Sequence, residues 1–107
     1  MIEQLSELIR GAKQRLGVGK PAEAEEVAGE AISLVLGMDP HVASRLSPQT
    51  LAAMLELGDV NPEILPLLAE AIELEAQELA AAGRHVEAET GRRQAAAVRS
   101  LMGGQSR

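Results

Sequence analysis

The fold is decided by a pattern that occurs twice, a glycine and a basic residue followed after two further residues by Glu-Ala-Glu, first in Gly19-Lys20-Pro21-Ala22-Glu23-Ala24-Glu25 and again in Gly83-Arg84-His85-Val86-Glu87-Ala88-Glu89. The match extends in both directions: Ala31 and Met38 follow the first copy, and Ala95 and Met102 follow the second at the same spacing. Upstream of the turns, Leu8 and Ala12 correspond to Ile72 and Ala76. A repeat of this length indicates helical hairpins, which bury their apolar faces by stacking on a neighbour.

The composition also favours helices. The chain has 107 residues, of which 46% are hydrophobic, and it contains no Phe, Trp, Tyr or Cys. Its core must therefore consist of Leu, Ile, Val, Met and Ala, and alanine favours helix whereas strands usually contain aromatic and β-branched residues. The lack of cysteine excludes disulfides, thiolate chemistry and cysteine-ligated zinc sites.

Turn and capping residues predict where the helices begin and end. Ile2 to Leu16 form an amphipathic stripe that Gly17 ends, and a second stripe from Ala24 to Val35 ends at Gly37. Three capping residues each precede a proline that suits the first helical turn, in the pairs Asp39-Pro40, Ser47-Pro48 and Asn61-Pro62. They predict a single turn to Leu46, a short helix to Gly58 and a long helix to Ala82. A last helix runs from about Arg84 to Met102.

This pattern predicts one all-α domain of about five main helices and one short turn. The domain covers residues 1–102, with hairpins at 1–37 and 61–102, an insert at 38–60, and a flexible tail at 103–107. The residues expected on the inner face of the long helix are Leu65, Leu68, Ala71, Ile72 and Leu79. Those expected on the inner face of the last helix are Val86, Ala95, Val98, Leu101 and Met102. Because Pro66 removes a backbone hydrogen bond, it predicts either a kink or a delayed start of the long helix.

The two hairpins resemble tetratricopeptide repeats, in which small residues allow the paired helices to pack closely. The matching positions are Ala12, Gly19, Ala24 and Ala31 in the first unit, and Ala76, Gly83, Ala88 and Ala95 in the second. The large aromatic residues that are usual in these repeats are absent, and Arg15 and Leu79 occupy the positions that usually hold a tyrosine. The stretch from Leu46 into the long helix also resembles small uncharacterised bacterial proteins of tetratricopeptide-like fold. The resemblance implies antiparallel hairpins stacked as a binding scaffold.

Charge is unevenly distributed along the chain. The net charge is −6, and residues 46–83 contain acidic residues but no lysine or arginine, whereas both ends are basic. The basic ends and acidic middle can pair within one molecule or between two copies. Four arginines of the last helix (Arg84, Arg92, Arg93 and Arg99) also suggest an alternative function, a regulator associated with nucleic acid. The negative net charge, Glu87 and Glu89, and the lack of aromatics disfavour that alternative.

Catalytic and metal-binding motifs are weak in this sequence. Gly17-Val18-Gly19-Lys20 resembles the end of a phosphate-binding loop, but helical context and Pro21 favour a simple turn. His85 and Glu89 could offer two metal ligands from one helix face, with a third from His41 or the acidic helix, which is the basis of a metal-dependent enzyme alternative. The favoured interpretation is that the histidines are exposed to solvent. It also places four carboxylates on a solvated helix face, namely Glu70, Glu73, Glu75 and Glu78. We therefore predict no catalytic residues, no cofactor and no metal.

The remaining expectation is a non-catalytic protein–protein interaction or assembly module, with a protein partner or a second copy in a homodimer. Apolar residues off the main stripes would form the interface if they are exposed together, and the candidates are Leu57, Val60, Leu67, Leu74 and Val18, with Arg92 and Arg93. If they are not exposed, the insert buries them. Glu3 and Glu7 argue against a basic leader, and no membrane-spanning apolar run is present, so a cytoplasmic location is expected. The excess of arginine over lysine and the many alanines are typical of a GC-rich bacterial genome.

Overall fold

All the regular secondary structure in the described part of the chain is helical. The computed structural model describes residues 2–17, 27–39, 42, 45–58 and 60–103, and within these ranges there are helices and no β-strand. The helices are α1 (Ile2–Gly17), α2 (Val27–Leu36), α3 (Pro48–Leu57), α4 (Ile64–Ala81) and α5 (His85–Gly103). The all-α prediction is thereby confirmed for these residues. The predicted turn at Val18-Gly19, the helix start near Pro21, most of the turn after Asp39, and the tail beyond Gly103 lie outside them.

Helix α4 lies at the centre of the arrangement. It contacts α1, α2 and α5, while α3 packs against α5 and α1 against α2. All five residues predicted for its inner face are buried, and every described helix contributes to the core. The largest fully buried side chains are Leu5, Ile32, Leu51, Leu68, Ile72 and Val98. Aliphatic side chains and alanines thus fill the core, as the lack of aromatics requires.

The turn predicted at Gly83 joins α4 to α5. Gly83 has a φ of 83°, a left-handed conformation that glycine adopts without a Cβ penalty. Its N–H donates to the carbonyl oxygen of Ala80 at 3.0 Å, and the N–H of Arg84 donates to that of Leu79 at 2.8 Å. These two hydrogen bonds form a Schellman motif, which satisfies carbonyl groups at the end of α4. The chain reverses within three residues, and α5 packs along α4.

Small residues allow α4 and α5 to approach closely. Ala76, Ala88 and Ala95, three of the small positions that the sequence singled out in the second hairpin, are all buried. Gly91 of α5 is also buried, and a β-carbon placed on it would lie only 3.2 Å from the Cβ of Ala76. Since carbon atoms in contact are usually about 3.5–4.0 Å apart, the two backbones are nearly as close as a glycine permits.

Of the predicted capping pairs, Ser47-Pro48 caps its helix as expected, whereas Asn61-Pro62 lies in a turn before α4 and does not cap it. The Oγ of Ser47 accepts a hydrogen bond from the N–H of Thr50 at 3.1 Å, which caps α3 as predicted. Asn61 accepts a hydrogen bond through its Oδ1 from the N–H of Glu63 at 3.0 Å, but α4 begins only at Ile64. Pro66 therefore lies in the first turn, where its missing N–H is no loss, and the delayed start is the correct alternative.

One inward-facing prediction is wrong. Val86 was expected on the inner face of α5, but 82% of its surface is exposed. The buried stripe of α5 runs through Ala88, Gly91, Ala95 and Val98. With about 3.6 residues per turn, a residue two positions before Ala88 lies on nearly the opposite side of the helix. Val86 consequently faces solvent.

Candidate interaction surface

The residues predicted to form an apolar interface do not share one environment. Leu57, at the end of α3, is 87% exposed, whereas Leu74 of α4 is only 7% exposed and belongs to the core. Val60 and Leu67 are half-buried and pack against that core. Val18 lies outside the described residues. Leu57 is therefore exposed on the surface and accessible to a partner, whereas Leu74 is buried in the core of the single chain.

Arg84, just before α5, and the described arginines of α5 are each placed beside a carboxylate. The pairs are Arg84 with Glu87, Arg92 and Arg93 with Glu89, and Arg99 with Glu73 of α4. The hydrogen bond from Arg84 holds the pKa of Glu87 below its usual value, and the Coulomb attraction between the two groups acts in the same direction. A nucleic-acid phosphate would have to compete with these carboxylates, so the helix offers no continuous basic face of the kind that duplex binding requires.

Several acidic residues of α4 contact neighbouring helices or are buried, which the sequence did not predict. Glu70 pairs with Lys13 of α1, and Glu73 pairs with Arg99 of α5, so two carboxylates of α4 link it to its neighbours. Glu78 is only 4% exposed, and its Oε2 has no hydrogen-bond partner in the structure. The prediction of a solvated face is therefore wrong for Glu78. It lies four residues after the buried Leu74 and thus continues the inner stripe of the helix.

The candidates for metal binding are not assembled into a site within the described ranges. His85 is exposed at the beginning of α5, one turn before Glu89, whose carboxylate binds the two arginines. No group of three or more histidine, aspartate and glutamate side chains among the described residues is arranged to hold a metal ion. His41 and the glycines of the loop resembling a phosphate-binding motif, apart from the backbone of Gly17, lie outside these ranges.

A cleft between α1 and α2 is the surface feature that the sequence did not reveal. It has a volume of 480 Å³ and is open to solvent, and most of its accessible lining is apolar. Gln4, Glu7 and Leu8 line it from α1, and Glu30, Ser33 and Leu34 from α2. Leu34 remains 36% exposed although most residues of its helix are apolar. The available signal was Leu34 itself, a large apolar residue beside the stripe of α2 that faces the core.

Two buried residues of α5, which the sequence did not single out, fix how α5 packs against other parts of the fold. The side-chain amide of Gln94 on α5 donates a hydrogen bond to the backbone oxygen of Leu46 at 2.6 Å, which ties the segment before α3 to α5. Gly91 sets the separation of α4 and α5, as described above. A glycine within a helical pattern is the signal that identifies such a close approach.

Comparison with known proteins adds no relative from which a function could be transferred. No protein-family model matches the chain, and no curated protein or solved structure is significantly similar to it. None of the helices in the described part of the chain combines the length and apolar character that a membrane crossing needs. The functional argument therefore depends on the geometry and chemistry of the surface alone.

Proposed function

We propose that this chain is a non-catalytic interaction or assembly module that binds a partner protein or a second copy of itself. The observation that carries the proposal is the exposure of large aliphatic side chains outside a completed core, above all Leu57 at the end of α3 and Leu34 in the α1/α2 cleft. A chain without aromatic residues depends on its aliphatic side chains for burial and loses stabilising burial when a large one is left in water. Contiguous exposed apolar surface is typical of protein-binding sites.

The proposed architecture is a tetratricopeptide-like stack of two hairpins. It is supported by the second hairpin, where Ala76, Ala88 and Ala95 are buried and Gly83 has a positive φ. In this arrangement the rigid helical framework presents its outer faces to a partner, which is how helical-repeat scaffolds act. The expectation of a cytoplasmic bacterial protein belongs to the same proposal.

Self-association and partner binding are tested together with one pair of matched variants. Sedimentation velocity over a concentration series, from low micromolar upward, measures the oligomeric state of the wild type, Leu57→Glu and Ala81→Glu. Ala81 is exposed at the end of α4, on a different helix from Leu57, and receives the same charge, so it controls for the added charge. The same three proteins serve as baits in quantitative affinity capture from cells that produce the protein.

The proposal predicts an association, with itself or with a captured protein, that Leu57→Glu weakens and Ala81→Glu leaves unchanged. A carboxylate in place of a leucine at an apolar contact places an unpaired charge in the interface, which weakens binding by about tenfold or more. A chain that stays strictly monomeric and captures no protein in a manner dependent on Leu57 contradicts the proposal.

A further inference from the structure

The α1/α2 cleft combines an apolar lining with carboxylates from both helices. Leu8 of α1 and Leu34 of α2 supply large aliphatic side chains, and Glu7 and Glu30 supply one carboxylate each. Among the described residues that line the cleft, none is basic. The cleft therefore has the two chemical properties, apolar and anionic, that a cationic amphipathic segment complements.

The carboxylates of the cleft differ from the paired carboxylates of α4 and α5. The exposed or half-exposed carboxylates of α4 and α5 at Glu70, Glu73, Glu87 and Glu89 each form an ion pair within the chain. Glu7 and Glu30 are exposed, and neither forms an ion pair or a side-chain hydrogen bond with a described residue. Their charge is thus available to an external cation.

We infer that the α1/α2 cleft binds a basic amphipathic helix of a partner protein, which places an apolar side chain on Leu8 and Leu34 and cations at Glu7 and Glu30. This inference rests on the proposed interaction function and specifies its partner. A groove between two helices accepts a third helix through anchors at helical spacing, and complementary charge accelerates and orients the encounter.

A second copy of the chain is a poorer occupant than a basic partner. Each copy has a net charge of −6, so two copies repel one another at long range. The arginines of α5, the basic helix that a second copy could offer, are already placed beside Glu73 and Glu89, and Arg84 just before that helix is placed beside Glu87. Binding them to the cleft would require these pairs to be broken or shared.

The experiment is a selection from a displayed library of random peptides of about 16 residues, roughly 24 Å long when helical. The full chain is the target, and each enriched peptide is remeasured by fluorescence anisotropy against three variants. Leu34→Ala removes apolar surface, Glu7→Lys/Glu30→Lys reverses the charge of the cleft, and Glu56→Lys/Glu63→Lys makes the same charge change at exposed positions elsewhere. Circular dichroism verifies that every variant remains folded.

The inference predicts enriched peptides of positive net charge with leucine-like or aromatic anchors at helical spacing. Their affinity should fall by about tenfold in the cleft charge variant and change much less in the Glu56/Glu63 variant, because each exposed pair contributes up to about 1 kcal/mol. Leu34→Ala should also weaken binding, and rising salt should reduce the difference between the two charge variants.

Enrichment of neutral or acidic peptides, equal losses in the two charge variants, or no enrichment at all would overturn the inference. A homodimer that the cleft variants dissociate would also overturn it, because the occupant would then be a second copy. These failures are distinct from failure of the proposed function. Association that depends on Leu57, measured by sedimentation or capture, would preserve the interaction function while the basic-helix inference falls.

Discussion

Replacing Gly91 with leucine is the most informative perturbation of the α4–α5 contact. A β-carbon at this position would lie 3.2 Å from the Cβ of Ala76 and 3.8 Å from the backbone oxygen of Ile72. The first distance is a few tenths of an ångström shorter than ordinary carbon contact. The remaining atoms of a leucine side chain have no space in the same direction unless the two helices separate.

The expected loss of stability follows from two opposing effects. Overpacking a well-packed helix contact costs about 1–3 kcal/mol, and separation of α4 from α5 also exposes Ala76, Ala88 and Ala95, which are now buried. Replacing a helical glycine with leucine regains at most about 1 kcal/mol through helix propensity. We therefore expect Gly91→Leu to lower the free energy of unfolding by about 2 kcal/mol and the melting temperature by roughly 10–15 °C.

Chemical denaturation followed by far-ultraviolet circular dichroism measures this effect, with Ala96→Leu as the control. Ala96 is exposed on the same helix, so leucine there adds the same side chain without entering the contact. The control should remain within about 0.5 kcal/mol of the wild type. If Gly91→Leu is as stable as the control, the helices do not approach one another at Gly91, and the packing described for the second hairpin is incorrect.

Three further predictions concern buried or paired polar groups. Gln94→Leu should destabilise the fold by about 1–3 kcal/mol in denaturation experiments, because it leaves the backbone oxygen of Leu46 without its hydrogen bond. Glu78→Leu should stabilise the fold by about 1–3 kcal/mol, because it removes a buried carboxylate oxygen that has no partner. In an NMR titration, Glu87 should have a pKa below the usual glutamate value, and Arg84→Ala should raise it towards that value. Folding lowers the pKa of Glu87, so its pairing with Arg84 stabilises the fold at pH values above the pKa that Glu87 has in the unfolded chain. This stabilisation is lost as the pH falls through the lower pKa that Glu87 has in the folded chain.

Each of these predictions has a contradicting result. Gln77→Leu, at an exposed position of α4, controls for added apolar surface near Glu78. If it stabilises the protein as much as Glu78→Leu does, the unpaired oxygen is not the cause. Unchanged stability in Gln94→Leu would show that the segment before α3 is not held by that hydrogen bond. A Glu87 pKa that does not respond to Arg84→Ala would show that the pair is absent in solution.

The sequence predicted the elements whose causes are local. Gly83, the Ser47-Pro48 pair and the apolar stripe of α4 depend on backbone conformation, capping and helical period, which a single stretch of residues contains. The delay of α4 to Ile64 could not be distinguished from a kink, because Pro66 is compatible with a first turn but also with a distorted helix. The choice between them depends on the turn at Asn61, which accepts hydrogen bonds from the N–H groups of Glu63 and Ile64 before α4 begins.

The features that the sequence did not predict depend on which helices are neighbours. Leu74 is in the core, and Glu78 is buried, because α4 has partners on several sides rather than one. A central helix loses the polar face that the pattern of a surface helix implies. Likewise, the cleft arises from the relative placement of α1 and α2, and neither segment alone shows that Leu8 and Leu34 line one space.

The close approach of α4 and α5 is the feature from which the fold and its surfaces follow, and an engineered disulfide tests it most directly. The chain contains no cysteine, so a bridge in Ala76→Cys/Gly91→Cys is unambiguous. Positions 76 and 91 have nearly the Cβ separation that a disulfide needs, about 3.5–4.5 Å. We expect the bridge to form within one chain under native conditions and not in Ala76→Cys/Ala96→Cys, whose second position faces solvent. Equal crosslinking in the two variants, or none in either, would contradict the packing of the second hairpin.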